Sequence, residues 1–140
     1  MIVGGPHDGP AGEALSRSIP RERRIDLTAA QFDPLVIQAC LKRARLYIGG
    51  ASLWTHMAAA AGAPTLALYG PTDEAIEGPW GPNARIVRGP RTFEAIKAQD
   101  PKLNQPVCHM LDLPADAVLE AAARLLADTE PTTMTRRRHG

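Results

Sequence analysis

Short apolar runs bounded by glycine and proline, each followed by a stretch of helical period, recur along this chain, and no other feature narrows its fold as much. The clearest instance starts at Leu46-Tyr47-Ile48, passes through the turn Gly49-Gly50-Ala51-Ser52 and enters an alanine-rich segment, Thr55 to Ala61, that Gly62 and Pro64 stop. The run Thr65-Leu66-Ala67-Leu68-Tyr69 follows at once. Strand, turn, helix, turn, strand is the βαβ rhythm, and it implies an α/β fold with a Rossmann-like parallel sheet flanked by helices.

The same rhythm extends both ways. Met1 to Val3 reads as a strand remnant ending in Gly4-Gly5-Pro6, and Ala11, Ala14, Leu15 and Ile19 then sit at helical spacing until Pro20. Arg24 to Thr28 reads as a second short strand. Asp33-Pro34 has the form of an N-cap followed by proline at the first helical position, opening a helix whose apolar face carries Leu35, Ile37, Cys40, Leu41 and Ala44. That placement makes Cys40 a core thiol. A turn-rich loop from Gly70-Pro71-Thr72-Asp73 to Gly78-Pro79-Trp80-Gly81-Pro82 leads to a last strand at Arg85 to Arg88. The closing helix spans Ala115 to Leu126, so residues 1–127 form one domain and residues 128–140 a disordered tail.

With 140 residues the chain is the size of one ordinary domain, and 12 Gly plus 13 Pro call for many specified turns. Sixteen basic and fifteen acidic residues leave a net charge of +1, which gives no positive field for nucleic acid. The two cysteines, Cys40 and Cys108, lack metal-ligand spacing, so neither a metal nor a cofactor is expected and a reducing compartment is. No signal-peptide pattern and no membrane-length apolar run is present, which points to the cytoplasm.

The chemistry concentrates where the strand at Leu46 meets its helix. A turn of this kind presents backbone N–H groups and the positive end of a helix dipole, which suit a diphosphate. Ser52 can cap the helix or donate to phosphate, and His56, one turn on, can donate an imidazole N–H to a phosphoryl oxygen. Equally, the pair can be a capped helix and a satisfied, partly buried histidine.

The text from Ala44 to Ala60, with Ser52 and His56 in place and an Ala-rich helix after them, resembles the carboxyl-terminal nucleotide-sugar-binding domain of family 9 glycosyltransferases, the lipopolysaccharide heptosyltransferases. The resemblance continues through Gly62-Ala63-Pro64, Tyr69-Gly70-Pro71-Thr72-Asp73 and Gly78-Pro79-Trp80-Gly81-Pro82. Upstream it takes in Val3-Gly4-Gly5-Pro6 and Asp26-Leu27-Thr28, and downstream Cys108 to Pro114, so that it covers about Ile2 to Ala127.

The resemblance implies most of the carboxyl-terminal half of a GT-B glycosyltransferase, moving a sugar from a nucleotide diphosphate donor, ADP-heptose being one candidate, to a lipopolysaccharide-type acceptor at the inner membrane without a metal. It implies diphosphate contacts at Ala51, Ser52, Leu53 and His56, base or ribose contacts at Phe32 and His7, and loop contacts at Gly70, Thr72 and Asp73, Asp73 being also a cap for a short helix. It assigns no catalytic residue to this chain. Trp54 and Trp80 are candidates for stacking, Trp54 equally for partial filling of the pocket. Two positions depart from the family text: Ala51 stands where the family has aspartate, and Leu53 where it has glycine. A non-catalytic binding or oligomerising module is the alternative. The family's first strand, central in its sheet, is not matched, so the strands at Ile2 and Leu46 are expected either to close on each other or to have the sheet completed or covered by a second copy of the chain, and the partners implied are that second copy or a separate amino-terminal half.

Overall fold

The computed structural model describes residues 1–5, 8–28, 33–104 and 109–130. Its centre is a sheet of three parallel strands in the order β1 (Tyr47–Gly50), β2 (Thr65–Tyr69), β3 (Ala84–Arg88). Register pairs Tyr47 with Thr65 and Thr65 with Ala84, and carries on to Gly50 opposite Leu68 and Tyr69 opposite Arg88. All three strands therefore end at one edge. The α/β, parallel-sheet expectation holds, and β2 has the bounds read from sequence, because its apolar run is fenced by Pro64 and Gly70.

Helices cover both faces. Helix α3 (Leu53–Ala60) and helix α2 (Pro34–Leu41) form one core with Ala58, Ile37, Leu41, Leu27 and Ala63, against which Tyr47 packs. Helix α6 (Ala115–Asp128) covers the other face, with Ala122 and Leu125 against Leu66 and the partly buried Leu46, Leu68 and Val87. Asp33 caps α2 by accepting from the Leu35 N–H at 2.8 Å, as its sequence implied. Gly62, at φ +81, closes α3 in the left-handed conformation that a side chain would strain. Helix α4 (Glu74–Glu77) and helix α5 (Phe93–Gln99) flank β3 in sequence. The sequence reading missed α5, which Thr92 opens by accepting from the Ala95 N–H at 3.2 Å and which buries only Ile96.

Three expectations are corrected. Met1–Val3 and Arg24–Thr28 do not form strands; they meet in a single parallel bridge between Ile2 and Asp26. Only Ile2 is gripped, its N–H donating to Ile25 and its carbonyl accepting from Leu27, because among the described residues no further strand flanks the pair. Helix α1 (Gly9–Arg17) does not bury Ala11, Ala14 and Leu15 but the small residues Gly12 and Ser16. It sits so close to Thr28 that a Cβ on Gly12 would lie 2.6 Å from Thr28 Oγ1, leaving no room for an apolar face. Cys40 is exposed rather than in the core, since Ile37 and Leu41, four apart, take the buried side of α2. Helix α6 runs on to Asp128, past the Leu126 read from sequence, and the rest of the expected tail, residues 131–140, lies outside the described residues.

Asp26 ties this periphery together, accepting from Ser16 Oγ at 2.5 Å and from the Thr28 N–H and hydroxyl at 3.0 and 2.7 Å. The Ser16 bond, then those of Thr28, hold its carboxyl down from 3.8 to about 2. A depressed folded-state value stabilises the fold above the ordinary carboxylate range, and that contribution is lost as pH falls toward 2. The melting temperature should therefore drop between pH 4 and pH 2 by more in the native chain than in Asp26→Asn, measured by circular dichroism. Equal drops would contradict this role for Asp26.

Candidate functional site

The site is built where β1 runs out. Gly49 is required there by a neighbour rather than by φ: a Cβ on it would stand 2.4 Å from Tyr47 Oη. With the Tyr47 ring lying over Gly49, the chain turns at Ala51-Ser52 and enters α3. Ser52 occupies the N-cap position in extended conformation, but its side chain makes no cap bond; Ser52 Oγ lies 3.4 Å from Thr55 Oγ1 instead. The expected side-chain cap is absent. Thr55, fully buried, does the fastening: its hydroxyl donates to the Gly50 carbonyl at 2.5 Å, with Tyr47 Oη 3.3 Å away. Sequence reasoning passed over Thr55, whose only signal was a second hydroxyl three residues after Ser52.

As a result the first turn of α3 is open. Among the described residues the N–H groups of Leu53 and Trp54 meet no acceptor, while Thr55 and His56 donate to the Ser52 carbonyl. His56 is exposed on that turn, not a buried and satisfied histidine, and Ala51 is exposed beside it. Leu53 is 64% exposed, an apolar side chain on the same turn. Trp54 is half-buried, packs against the α2–α3 core and lines a cavity of about 760 Å³. Ile2 and Val3 line this cavity together with Gly49, Gly50 and Ser52. Among the described residues Ile2 pairs with Asp26 and β1 pairs with β2, with no pairing between Ile2 and β1.

The second loop of this edge follows β2. Met110 lies over Gly70, its Sδ 2.7 Å from where a Cβ would stand. Asp73 caps α4, accepting from the Ala75 N–H at 2.9 Å, in line with its expected capping role. The carbonyls of Gly70 and Thr72 accept from the Arg88 guanidinium, the latter at 2.6 Å. Arg88 also pairs with both oxygens of Glu74, and that bond lowers the Glu74 carboxyl below its ordinary range. At the other end of α4, Tyr69 donates its phenol to the Glu77 carbonyl; burial, then the Glu77 and Glu74 charges, raise the Tyr69 phenol and keep it protonated. Trp80 is 88% exposed. His7 and Phe32 lie outside the described residues, as does Cys108. The structure thus brings Ala51, Ser52, Leu53 and His56 onto one turn, and Gly70, Thr72 and Asp73 onto the neighbouring loop at the same sheet edge. No group of three or more metal-ligating side chains occurs among the described residues.

A family model described as glycosyltransferase family 9 (heptosyltransferase) matches residues 12–107. The chain belongs to this family. The crystal structure of the glycosyl transferase family 9 from Veillonella parvula is similar over 90% of this chain, with a TM-score of 0.73 and 25% identity. That match takes in 36% of the Veillonella chain, so the present chain spans about a third of its relative's length. No curated protein matches. The family 9 model ends at residue 107, so β1, α3, β2, α4, β3 and α5 all fall inside it.

Replacing Gly49 by alanine should force Tyr47 off the end of β1 and cost about 1–3 kcal/mol, as overpacking does. Chemical denaturation of Gly49→Ala, alone and with Tyr47→Leu to relieve the clash, measures this. A cost below about 0.5 kcal/mol for the single variant would mean that Tyr47 does not fix this turn.

Proposed function

We propose that this family 9 chain binds the diphosphate of a nucleotide sugar at the open first turn of α3 and is the donor side of a sugar transfer. The observation that supports this most directly is the combination of two acceptor-free N–H groups, Leu53 and Trp54, with the exposed His56 on the same turn at the carboxyl edge of a parallel sheet. Backbone N–H groups there meet phosphoryl oxygens, Ser52 Oγ, held only by a 3.4 Å contact to Thr55 Oγ1, turns its proton to the phosphate, and the His56 imidazole donates from one turn further on. These dipoles stabilise the charge that grows on the departing diphosphate as its bond to the sugar breaks.

The donor read from the family description is a heptose on a nucleoside diphosphate, ADP-heptose being one candidate. The acceptor is of lipopolysaccharide type, reached from the cytoplasmic side of the inner membrane. No helix among the described residues is long and apolar enough to cross a membrane, which fits peripheral association.

Titration calorimetry with ADP and ADP-sugars tests the reading. ADP should bind, and His56→Ala should weaken it by about 1.5–3 kcal/mol, the worth of a charge-assisted hydrogen bond. Ala51→Asp with Leu53→Gly, which brings back the family text, should tighten it. An unaltered dissociation constant in His56→Ala would remove His56 from the site, and no ADP binding by the native chain would remove the site.

One observation favours a second reading, an oligomerising module. The outer edge of β1 has no strand partner among the described residues and borders the cavity beside Ile2, and such an edge recruits another chain. On this reading light scattering at micromolar concentration shows a dimer, and a monomer at all concentrations rules it out.

A further inference from the structure

Arg88 is the last residue of β3, opposite Tyr69 in the register, so its side chain emerges at the sheet edge where the β2–α4 loop begins. It is the most enclosed arginine of the described ion pairs, its side chain only 11% exposed. Four donations leave its guanidinium: Nε to Glu74 Oε1 at 3.0 Å, Nη1 to the Gly70 carbonyl, and Nη2 to the Thr72 carbonyl at 2.6 Å and to Glu74 Oε2. A planar fork with fixed donor directions is needed to reach two carbonyls and both carboxylate oxygens together, which a lysine ammonium cannot do.

The consequence is a loop folded around a cation. With the carbonyls of Gly70 and Thr72 turned onto Arg88, the loop keeps its oxygens away from the open side of the edge. Among the described residues the N–H groups of Thr72 and Asp73 meet no acceptor. An anion approaching this edge would be repelled by carbonyl oxygens and favoured by amides, so the orientation Arg88 imposes has the right sign for a diphosphate. The guanidinium itself is occupied and does not reach outward.

We propose that Arg88 is a positioning residue for the donor site: it holds residues 70–74 with carbonyls inward so that the loop tolerates the diphosphate lying at α3, and it makes no contact with the ligand. This rests on the diphosphate-binding reading given above and deepens it. Glu74 is the partner that makes the arrangement stable, and Asp73, whose carbonyl accepts from Ile76 and Glu77, passes the loop's position on to α4.

The test combines hydrogen exchange with ADP titration of the whole chain. In Arg88→Met the amides of Ala75, Ile76 and Glu77 should exchange at least about tenfold faster, ADP should bind about tenfold more weakly, and the amides of β2 should keep their protection. Arg88→Lys, which retains the charge without the fork, should behave like Arg88→Met. His56→Ala should weaken ADP while leaving exchange at residues 75–77 unaltered. If ADP binds the native chain and His56→Ala weakens it, but Arg88→Met does not, the positioning role is overturned while the donor site stands. If the native chain binds no ADP, the donor-site reading fails and the role of Arg88 toward a ligand fails with it. Should Arg88→Met lose protection in β2 as well, Glu74→Gln replaces it: it leaves Arg88 in place, and unaltered exchange and ADP binding in that variant overturn the proposal.

Discussion

Strand β2 buries Thr65, Leu66, Ala67 and Tyr69 almost completely, and a strand closed off on both faces can satisfy its backbone only by pairing along both edges. Much of the molecule follows from that demand. β1 and β3 must lie on either side of it, parallel because each connection crosses over through a helix or loop on a face of the sheet. α3 and α6 must cover opposite faces, and their small residues, Ala58 and Ala122, let them come close. Because the three strands run in parallel, their carboxyl ends fall on one edge, and the turns after β1 and β2 become neighbours although about 20 residues separate them in sequence. The candidate site is the geometrical product of burying one strand.

What the sequence showed and what it hid divide along the same line. The bounds of β2, the Asp33 cap of α2 and the capping role of Asp73 were legible, because each depends on residues within a few positions of one another. The family text was legible for a different reason: an ordered series of short matches carries more information than any one turn. Helix α5 was not, since a helix that buries only Ile96 leaves no apolar stripe to read. The exposure of Cys40 and the small-residue face of α1 were also hidden, because they depend on what each helix packs against. For α1 that is Thr28 and Asp26, held through a bridge of one residue pair.

The replacement of Ser52 by Thr55 as the fastening of the β1–α3 turn shows how local rules are overridden. An N-cap serine ordinarily accepts from the second or third N–H of its helix. Here Thr55, buried under Tyr47, reaches back to the Gly50 carbonyl and fixes the turn from inside, so Ser52 Oγ does not cap the helix and the Leu53 and Trp54 N–H groups meet no acceptor among the described residues. A helix start whose own side chains do not cap it is slightly less stable and better able to receive an anion. In that sense the same hydrogen bond that ends the strand opens the site.

The electrostatics of the edge follow from how its charges are already engaged. Arg88, the cation nearest the second loop, is neutralised by Glu74 and by two carbonyls, and the Asp73 carboxylate is turned into the cap of α4. What remains to face a ligand is a set of dipoles: backbone amides, the end of α3, a serine hydroxyl and an imidazole. Fixed dipoles of this kind cost no reorganisation when charge develops, and their effect grows as water is excluded. On the open surface of α3, beside an exposed Leu53, water is not excluded by the described residues alone. The strength of the site therefore depends on whatever closes over it. A diphosphate bound at α3 with nothing above it would be held weakly, and the same diphosphate enclosed by a second protein layer would feel those dipoles in full.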